Sequence, residues 1–305
     1  MAFAHSVTVF TPTYNRAYIL GQLYRSLQRQ TCQDFEWVIV DDGSTDQTQT
    51  LVSGWQQEGN SFPIRYARQE NGGKCRAINH GLRLAQGLLF FTVDSDDYLT
   101  EDAIEQVIAW EKALPRDGKF CGFAGNMGTS PTETPNTPFP GPYLDGTAFD
   151  RYGAADGERA SVFYTQIHRQ YLYPEFPGEK FIIESVPWNR MAHDGYRMRF
   201  FNRIIWIYAY REDGLTNAGY SNFVNNPQGT GLFWREQAEF LHFPLKKKLA
   251  MWYGYTCQSL PLCSPEQIAS YIDIPLWLVK AFQAVHSLRP KERLQRMKEI
   301  FQKKR

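Results

Sequence analysis

Three carboxylates fall within four residues at Asp94-Ser95-Asp96-Asp97, directly after the uncharged run Gly87-Leu-Leu-Phe-Phe-Thr-Val93. That run is short, aromatic and β-branched, so it reads as a buried strand with the acidic cluster at its end. Carboxylates this close disfavour one another's charge unless a cation lies among them. Hard divalent cations take oxygen ligands, and Mg²⁺ is often held by one or two carboxylates together with substrate phosphates. The cluster therefore suggests a metal–phosphate site. A solvated acidic loop is the alternative, and the apolar strand in front of it argues against that.

Three further segments carry groups suited to a nucleotide. In Thr11-Pro-Thr-Tyr-Asn-Arg16 the face of Tyr14 could stack on a base and Asn15 could read its edge; the same residues also make an ordinary proline-containing loop. In Asp41-Asp-Gly-Ser44 the aspartates could accept hydrogen bonds from a base or from ribose hydroxyls, or could form a turn and a helix cap. In Asn71-Gly-Gly-Lys74 the glycines would let the backbone approach a phosphate at a helix N-terminus, with Lys74 or Arg76 adding a cation. The spacing is not that of the G-x-x-x-x-G-K-[ST] phosphate loop.

The elements that must position these groups alternate along the first third. Strands are expected over Ser6–Phe10, Phe35–Val40, Ile64–Ala67 and Gly87–Val93. Helices are expected over 17–30, from an Asp46 cap to about Glu58, over 73–86, and from Thr100 to about Leu114. Strand–helix alternation at this spacing gives βαβ units and a parallel sheet. Open sheets of this kind bind ligands beyond the carboxyl ends of their strands, so the segments at Thr11, Asp41 and Asp94 should share one crevice.

After a proline-rich loop at 129–142, strands are expected at Val162–Ile167 and Ile204–Tyr210. A short helix is expected from about Pro187 to Ala192, and helices from 236 onward. The expected organisation is a nucleotide-binding half at 1–125, an acceptor half of the same domain at 126–235, and a helical extension at 236–305.

The composition is that of an ordinary globular protein, 43% hydrophobic and 21% charged, and a net charge of +1 gives no reason to expect nucleic acid as a partner. Five cysteines with no C-x-x-C pair suit reduced thiols and a cytoplasmic setting. The opening Met-Ala-Phe-Ala-His-Ser lacks the basic start of a secretory leader. No stretch approaches the roughly 18 apolar residues of a membrane span. The end of the chain, 289–305, holds eight Lys or Arg against Glu292 and Glu299. This run is either a solvated helix end or a contact with an anionic inner membrane face.

Together and in this order, the Pro-x-Tyr-Asn loop, Val-Asp-Asp-Gly-Ser, Asn-Gly-Gly-Lys with Ala77-Ile-Asn79, and Asp-Ser-Asp-Asp resemble the family 2 glycosyltransferases with the GT-A fold. The likeness covers residues 5–110 well. It implies an α/β fold: a Rossmann-like, mostly parallel sheet flanked by helices, with the helical C-terminal extension. It implies an inverting transfer of sugar from a nucleoside-diphosphate sugar, UDP-linked by the same resemblance, to a hydroxyl of a saccharide or lipid-linked acceptor in polysaccharide biosynthesis. By this resemblance Asp94 and Ser95 face the donor, Asp96 binds Mn²⁺ or Mg²⁺ with Asp97 in support, Asp42 contacts the base or ribose, and Pro12, Tyr14, Asn15 and Lys74 line the donor pocket.

The later segments Gly178-Glu-Lys-Phe-Ile-Ile-Glu184-Ser-Val-Pro-Trp188 and Tyr210-Arg-Glu-Asp-Gly-Leu-Thr216 resemble polysaccharide-type members. Glu184 then falls at the position of the catalytic base. The usual Glu-Asp pair is Glu184-Ser185 here, which leaves Asp194 and Asp213 as rivals. Trp188 would be an acceptor platform or plain core. Two other readings stand beside the transferase. A sugar nucleotidyltransferase would need a Gly- and Lys/Arg-rich first loop, which Thr11–Arg16 is not. A catalytically inactive sugar-binding relative would not need the carboxylate set.

Overall fold

The computed structural model describes residues 3–208 and 215–288. The chain begins with the expected alternation: β1 (His5–Thr13), α1 (Gly21–Gln28), β2 (Phe35–Asp41), α2 (Thr48–Gln57), β3 (Ile64–Arg68), α3 (Lys74–Leu84) and β4 (Gly87–Thr92). Every residue of β2 is buried, as expected of a parallel strand covered by helices on both faces. The carboxylate in the middle of the β2 packing, Glu36, is satisfied by the Thr8 hydroxyl at 2.7 Å and by Arg65 Nη1 at 3.2 Å. Burying it unpaired would be costly.

Then follow β5 (Tyr98–Leu99), α4 (Ala103–Lys112), β6 (Phe120–Gly128), β7 (Leu144–Gly146), a 3-10 turn at Ala148–Tyr152, β8 (Arg159–Tyr164), α5 (Thr165–His168), α6 (Ser185–His193) and β9 (Arg197–Ile207). The nine strands of the described residues join one sheet in the order β3-β2-β1-β4-β8-β6-β9-β5, with β7 on β9.

The expected α/β class holds, and the sheet is mixed. β1 to β4 pair in parallel with one another, and β6 pairs in parallel with β9. β8 runs antiparallel between β4 and β6, and β5 and β7 run antiparallel to β9. Two strand expectations need correction. The one placed at Val162–Ile167 starts at Arg159 and ends at Tyr164, because the chain turns into α5 at Thr165. The one placed from Ile204 begins at Arg197, where alternation is blurred because consecutive residues Met198 to Phe201 are buried on both faces of the sheet.

β2 and β3 lie on one side of β1 and β4 lies on the other, so the chain reverses direction across the sheet between β1 and β4. Crevices for ligands open at the carboxyl ends of strands at such a point. α3 packs close over β1 because it carries Gly81. A Cβ there would come within 2.2 Å of the Phe10 ring.

The chain divides into two compact units, 1–217 and 218–305. The first holds the sheet. The second consists of helices from α7 (Leu215–Asn225), which crosses the division, through α8 (Pro227–Phe240), α9 (Leu245–Ser259), α10 (Pro265–Ile272) and α11 (Leu276–Ser287). Its own small core joins Tyr255, Ile268, Ile272, Ile274 and Val279. Among the described residues no single helix is long and apolar enough to cross a membrane.

Candidate active site

The end of β1 supplies Pro12 and the loop that follows. Phe10 uses its carbonyl to accept the Val93 amide at 2.8 Å, and pairing between β1 and β4 ends at Phe10 and Thr92. Pro12, two residues on, faces the same side past the end of that pairing, so its missing N–H is not needed there. Tyr14 is 48% exposed, which leaves a ring face open to a ligand.

Asn15 sits in the left-handed region at φ 54°. Its backbone amide donates to Ser44 Oγ at 2.8 Å, and its side-chain oxygen accepts the Thr45 amide at 2.8 Å. Asn15 therefore ties the β1 loop to the β2 loop, and its side-chain oxygen is already committed within the protein.

The two aspartates at the end of β2 are also engaged internally. Asp41 accepts the Ser44 amide at 2.7 Å and the Tyr66 hydroxyl at 2.5 Å. Asp42 is buried. One of its oxygens accepts from Gln69 Nε2 at 2.8 Å and the Gly72 amide at 2.9 Å; the other accepts the Gly73 amide at 2.7 Å and Asn71 Nδ2 at 3.2 Å. The glycine amides that were expected to cradle a donor phosphate thus hold the carboxylate of Asp42. The same physics that would favour phosphate at this backbone turn favours a carboxylate.

Gly73 serves a second purpose. It stands at φ 94°, and a Cβ would lie 1.8 Å from the carbonyl oxygen of Lys180. Lys180 Nζ in turn donates to Asn71 Oδ1 at 2.7 Å. The segment before α6 is laid directly over this loop.

At the end of β4 the acidic cluster divides its roles. Asp94 Oδ1 and Oδ2 meet Lys74 Nζ at 2.7 and 2.9 Å. Ser95 is buried. Asp96 has Arg16 Nη2 at 3.9 Å. Burial raises its pKa, Asp94 raises it further, and Arg16 opposes them. Asp97 turns inward and accepts the Trp206 indole N–H at 2.7 Å. Burial first, then the charge of Asp94, push its pKa up to about 8 against the opposing indole bond.

Lys74 also reaches Glu184 Oε1, at 2.6 Å. Glu184 occupies the position just before the first turn of α6, makes no capping hydrogen bond with its side chain, and is partly exposed. The end of β4 and the start of α6 are thereby joined through one ammonium at the start of α3. The rival base Asp194 caps the opposite end of α6, a nine-residue helix about 13 Å long, where Tyr171 donates to it at 2.7 Å. Asp213 lies outside the described residues. Trp188 stacks on Phe163, with ring centres 5.8 Å apart, and packs against the core.

Two contributors were not singled out from the sequence. Arg16 ends the first motif, and its cationic partner role depends on how closely the first and last motifs approach. Trp206 lies in β9 and meets Asp97 only through tertiary folding. No local pattern marks it.

Within this set Asp94, Asp96, Asp97 and Glu184 face Lys74 and Arg16. Burial first, and then the charge of neighbouring carboxylates, raise the pKa values of Asp96 and Asp97, and a divalent cation would relieve the second of these. The all-oxygen donor set suits a hard cation completed by substrate phosphates. Among the described residues no three His, Cys, Asp or Glu side chains converge as a ready-made metal cage. Asp94 and Asp96, with side chains 34% and 20% exposed, are the carboxylates of the cluster that reach solvent, and Asp94 is already held by Lys74.

The family model for glycosyl transferase family 2 matches residues 8–176, more than half of the chain. The chain belongs to glycosyltransferase family 2. Within the family, it is 36% identical over 100 residues to the glycosyltransferase GlyG of Streptococcus pneumoniae, a stretch that covers 32% of this chain and 33% of that protein. The likeness thus spans about a third of that relative's length.

Among solved family folds, TarS 1–349 of Staphylococcus aureus in complex with UDP-GlcNAc superposes with a TM-score of 0.60 at 17% identity, covering 91% of this chain and 88% of that one. The mannosyltransferase PcManGT of Pyrobaculum calidifontis, in complex with GDP-Man and Mn²⁺, superposes with a TM-score of 0.53 at 17% identity, covering 96% and 83%. These similarities establish the GT-A architecture for this family 2 chain. Glu184 lies beyond the segment matched by the family model.

Proposed function

We propose that this chain is an inverting glycosyltransferase. It moves a sugar from a nucleoside-diphosphate donor, UDP-linked in our reading, to a hydroxyl of a saccharide or lipid-linked acceptor in polysaccharide biosynthesis. The observation that carries this reading is the bridge from Asp94 through Lys74 to Glu184. It joins a carboxylate of the donor crevice to a carboxylate on the other half of the unit, as a reaction between two bound substrates requires. The nucleotide complexes of TarS and PcManGT support a nucleotide-sugar donor.

In this mechanism Tyr14 offers its exposed face to the base, beside Pro12. Glu184 accepts the proton of the acceptor hydroxyl as that oxygen attacks the anomeric carbon. The bond from that carbon to the diphosphate breaks with inversion, and the nucleoside diphosphate leaves with the bonding electron pair. General-base assistance of this kind contributes about 10²–10⁴-fold. Lys74, 2.6 Å from Glu184 Oε1, holds that carboxylate in place. A Mn²⁺ or Mg²⁺ held by Asp96 and the donor diphosphate, with Asp97 behind it, would offset the leaving group's developing charge. The Mn²⁺ complex of PcManGT supports this cofactor.

The protein would work in the cytoplasm. The basic run 289–305, which lies outside the described residues, would bring it to the inner membrane face where a lipid-linked acceptor resides.

The test compares wild type, Glu184→Gln and Asp96→Ala with a panel of nucleotide sugars and Mn²⁺. Glu184→Gln should keep the donor-induced thermal shift and lose transfer. Asp96→Ala should lose the Mn²⁺ response. Unchanged transfer by Glu184→Gln would move the base elsewhere, and full activity of Asp96→Ala would remove the metal role.

A further inference from the structure

Positive charge is distributed unevenly along the chain. Residues 218–305 hold 13 Lys or Arg against 6 Asp or Glu, whereas residues 1–217 hold 20 against 26. The chain's near-neutral total therefore hides a basic helical unit and an acidic catalytic one.

The last described helix of the basic unit has an unusual surface. α11 reads Leu-Trp-Leu-Val-Lys-Ala-Phe-Gln-Ala-Val-His-Ser. Val279 is its one fully buried residue, and Phe282 packs edge-on to Tyr253 of α9 with ring centres 5.7 Å apart. On the other side, Trp277 is 69% exposed and Leu288, just past the helix end, is 83% exposed; Ala281 and Ala284 are exposed between them. At 3.6 residues per turn these four positions fall within an arc of about 60°. Val285 widens the arc on one side, and Lys280 borders it on the other. A helix that buries one side and leaves an indole and a leucine in water on the other presents a surface for a partner.

Charge identifies the partner. The apolar stripe ends at Leu288, and the run of eight Lys or Arg starts at the next residue, Arg289. α9 opens with the same pairing: Leu245 and Leu249 are exposed and enclose Lys246, Lys247 and Lys248. Apolar residues with a tryptophan, set among lysines and arginines, are the composition of helices that lie in the plane of an anionic bilayer. At twelve residues α11 is about 18 Å long, too short to cross one. It also turns by 120° from α10, so the pair forms no continuous rod.

We propose that the Trp277–Leu288 face of α11 docks on an anionic lipid surface, with the indole and leucine entering the headgroup boundary and Lys280 beside them meeting lipid phosphate. The inference rests on the reading that the C-terminal basic run touches the membrane, and it adds the apolar contact that makes such binding more than electrostatic.

The experiment uses the full chain and co-sedimentation with phosphatidylcholine vesicles, with and without phosphatidylglycerol. Wild type, the double variant Trp277→Ser/Leu288→Ser, Trp277→Phe and a tail variant Arg289→Glu/Lys291→Glu/Arg293→Glu are compared. Both serine substitutions are at exposed positions, and an unchanged melting temperature checks the fold.

Wild type should bind the anionic vesicles, with its tryptophan emission shifted to the blue. The double variant should bind at least about tenfold more weakly with its tail intact, and Trp277→Phe should restore binding. Equal binding by wild type and the double variant overturns the α11 face and leaves the tail contact standing. No vesicle binding by wild type overturns both. A wild-type dimer that the double variant dissociates, with vesicle binding unaltered, makes the face a contact between copies and overturns the lipid proposal.

Discussion

Lys74 Nζ lies 2.6 Å from Glu184 Oε1 and 2.7 Å from Asp94 Oδ1. Burial pulls the ammonium's pKa down, but the two carboxylates outweigh that and hold it above its ordinary value. The group is therefore a permanent cation between the two halves of the crevice. Replacing Lys74 with Met leaves Asp94 and Glu184 facing one another with no charge between them. Transfer should fall by about 10²-fold or more, while Lys74→Arg, which cannot place one compact charge among three oxygens, should recover part of that. Initial rates of transfer for the three proteins measure it, and a fully active Lys74→Met would show that the bridge is a resting-state contact only.

Asp42 accepts four side-chain hydrogen bonds, two of them from the Gly72 and Gly73 amides. Asp42→Ala strands those buried donors, and the cost should be about 2–4 kcal/mol. Urea unfolding gives the value. A loss below about 0.5 kcal/mol would mean that water replaces the carboxylate at little cost.

Gly73→Ala combines a positive φ with a Cβ placed against the Lys180 carbonyl oxygen. Neither strain can be relieved by a side-chain rotation, so the loop must move. Destabilisation should reach about 3 kcal/mol. Gly178→Ala has a positive φ too, yet nothing lies within 4 Å of its Cβ, so it should cost less. Thermal melts of the pair separate the steric part from the conformational part.

His168 is buried against Phe163 and Phe90, at ring distances of 5.0 and 5.8 Å, and neither ring nitrogen has a hydrogen-bond partner. Burial lowers its pKa from 6.5 to about 3. Between those values the unfolded chain binds a proton that the folded chain refuses. Stability from this group is therefore full above about pH 6.5 and is lost as pH falls toward 3. Urea midpoints from pH 7 to 4 should fall more steeply for wild type than for His168→Phe; parallel curves would show that the imidazole is not held neutral.

The first 110 residues were legible because each βα unit carries its own signals. Apolar runs mark β1, β2 and β4, and Asp, Gly and Asn punctuate their ends. The acidic cluster was legible as chemistry, since three carboxylates in four residues need an explanation wherever they fold. What the sequence could not show was which carboxylates spend their oxygens inside the protein. Asp42 and Asp97 look like Asp94 and Asp96 in the chain. Only the Gly72–Gly73 amides and the Trp206 indole, brought in from loops and strands elsewhere, separate them. β9 was half visible because its inward and outward residues both pack, and α5 was missed because four residues give no helical period to read.

The position of β8 has a consequence for how the protein is made. β4, with the uncharged sequence Gly-Leu-Leu-Phe-Phe-Thr, pairs with β1 on one edge and with β8 on the other. β8 is translated only after α4, β6 and the proline-rich stretch. Until then a nascent chain that already holds every residue proposed for the donor presents β4 as a bare, greasy strand edge, the kind that invites pairing with a neighbouring chain. Glu184 is translated later still. On the ribosome the proposed donor crevice can exist before the proposed base, and the interval between them is the period when the chain most needs protection from aggregation.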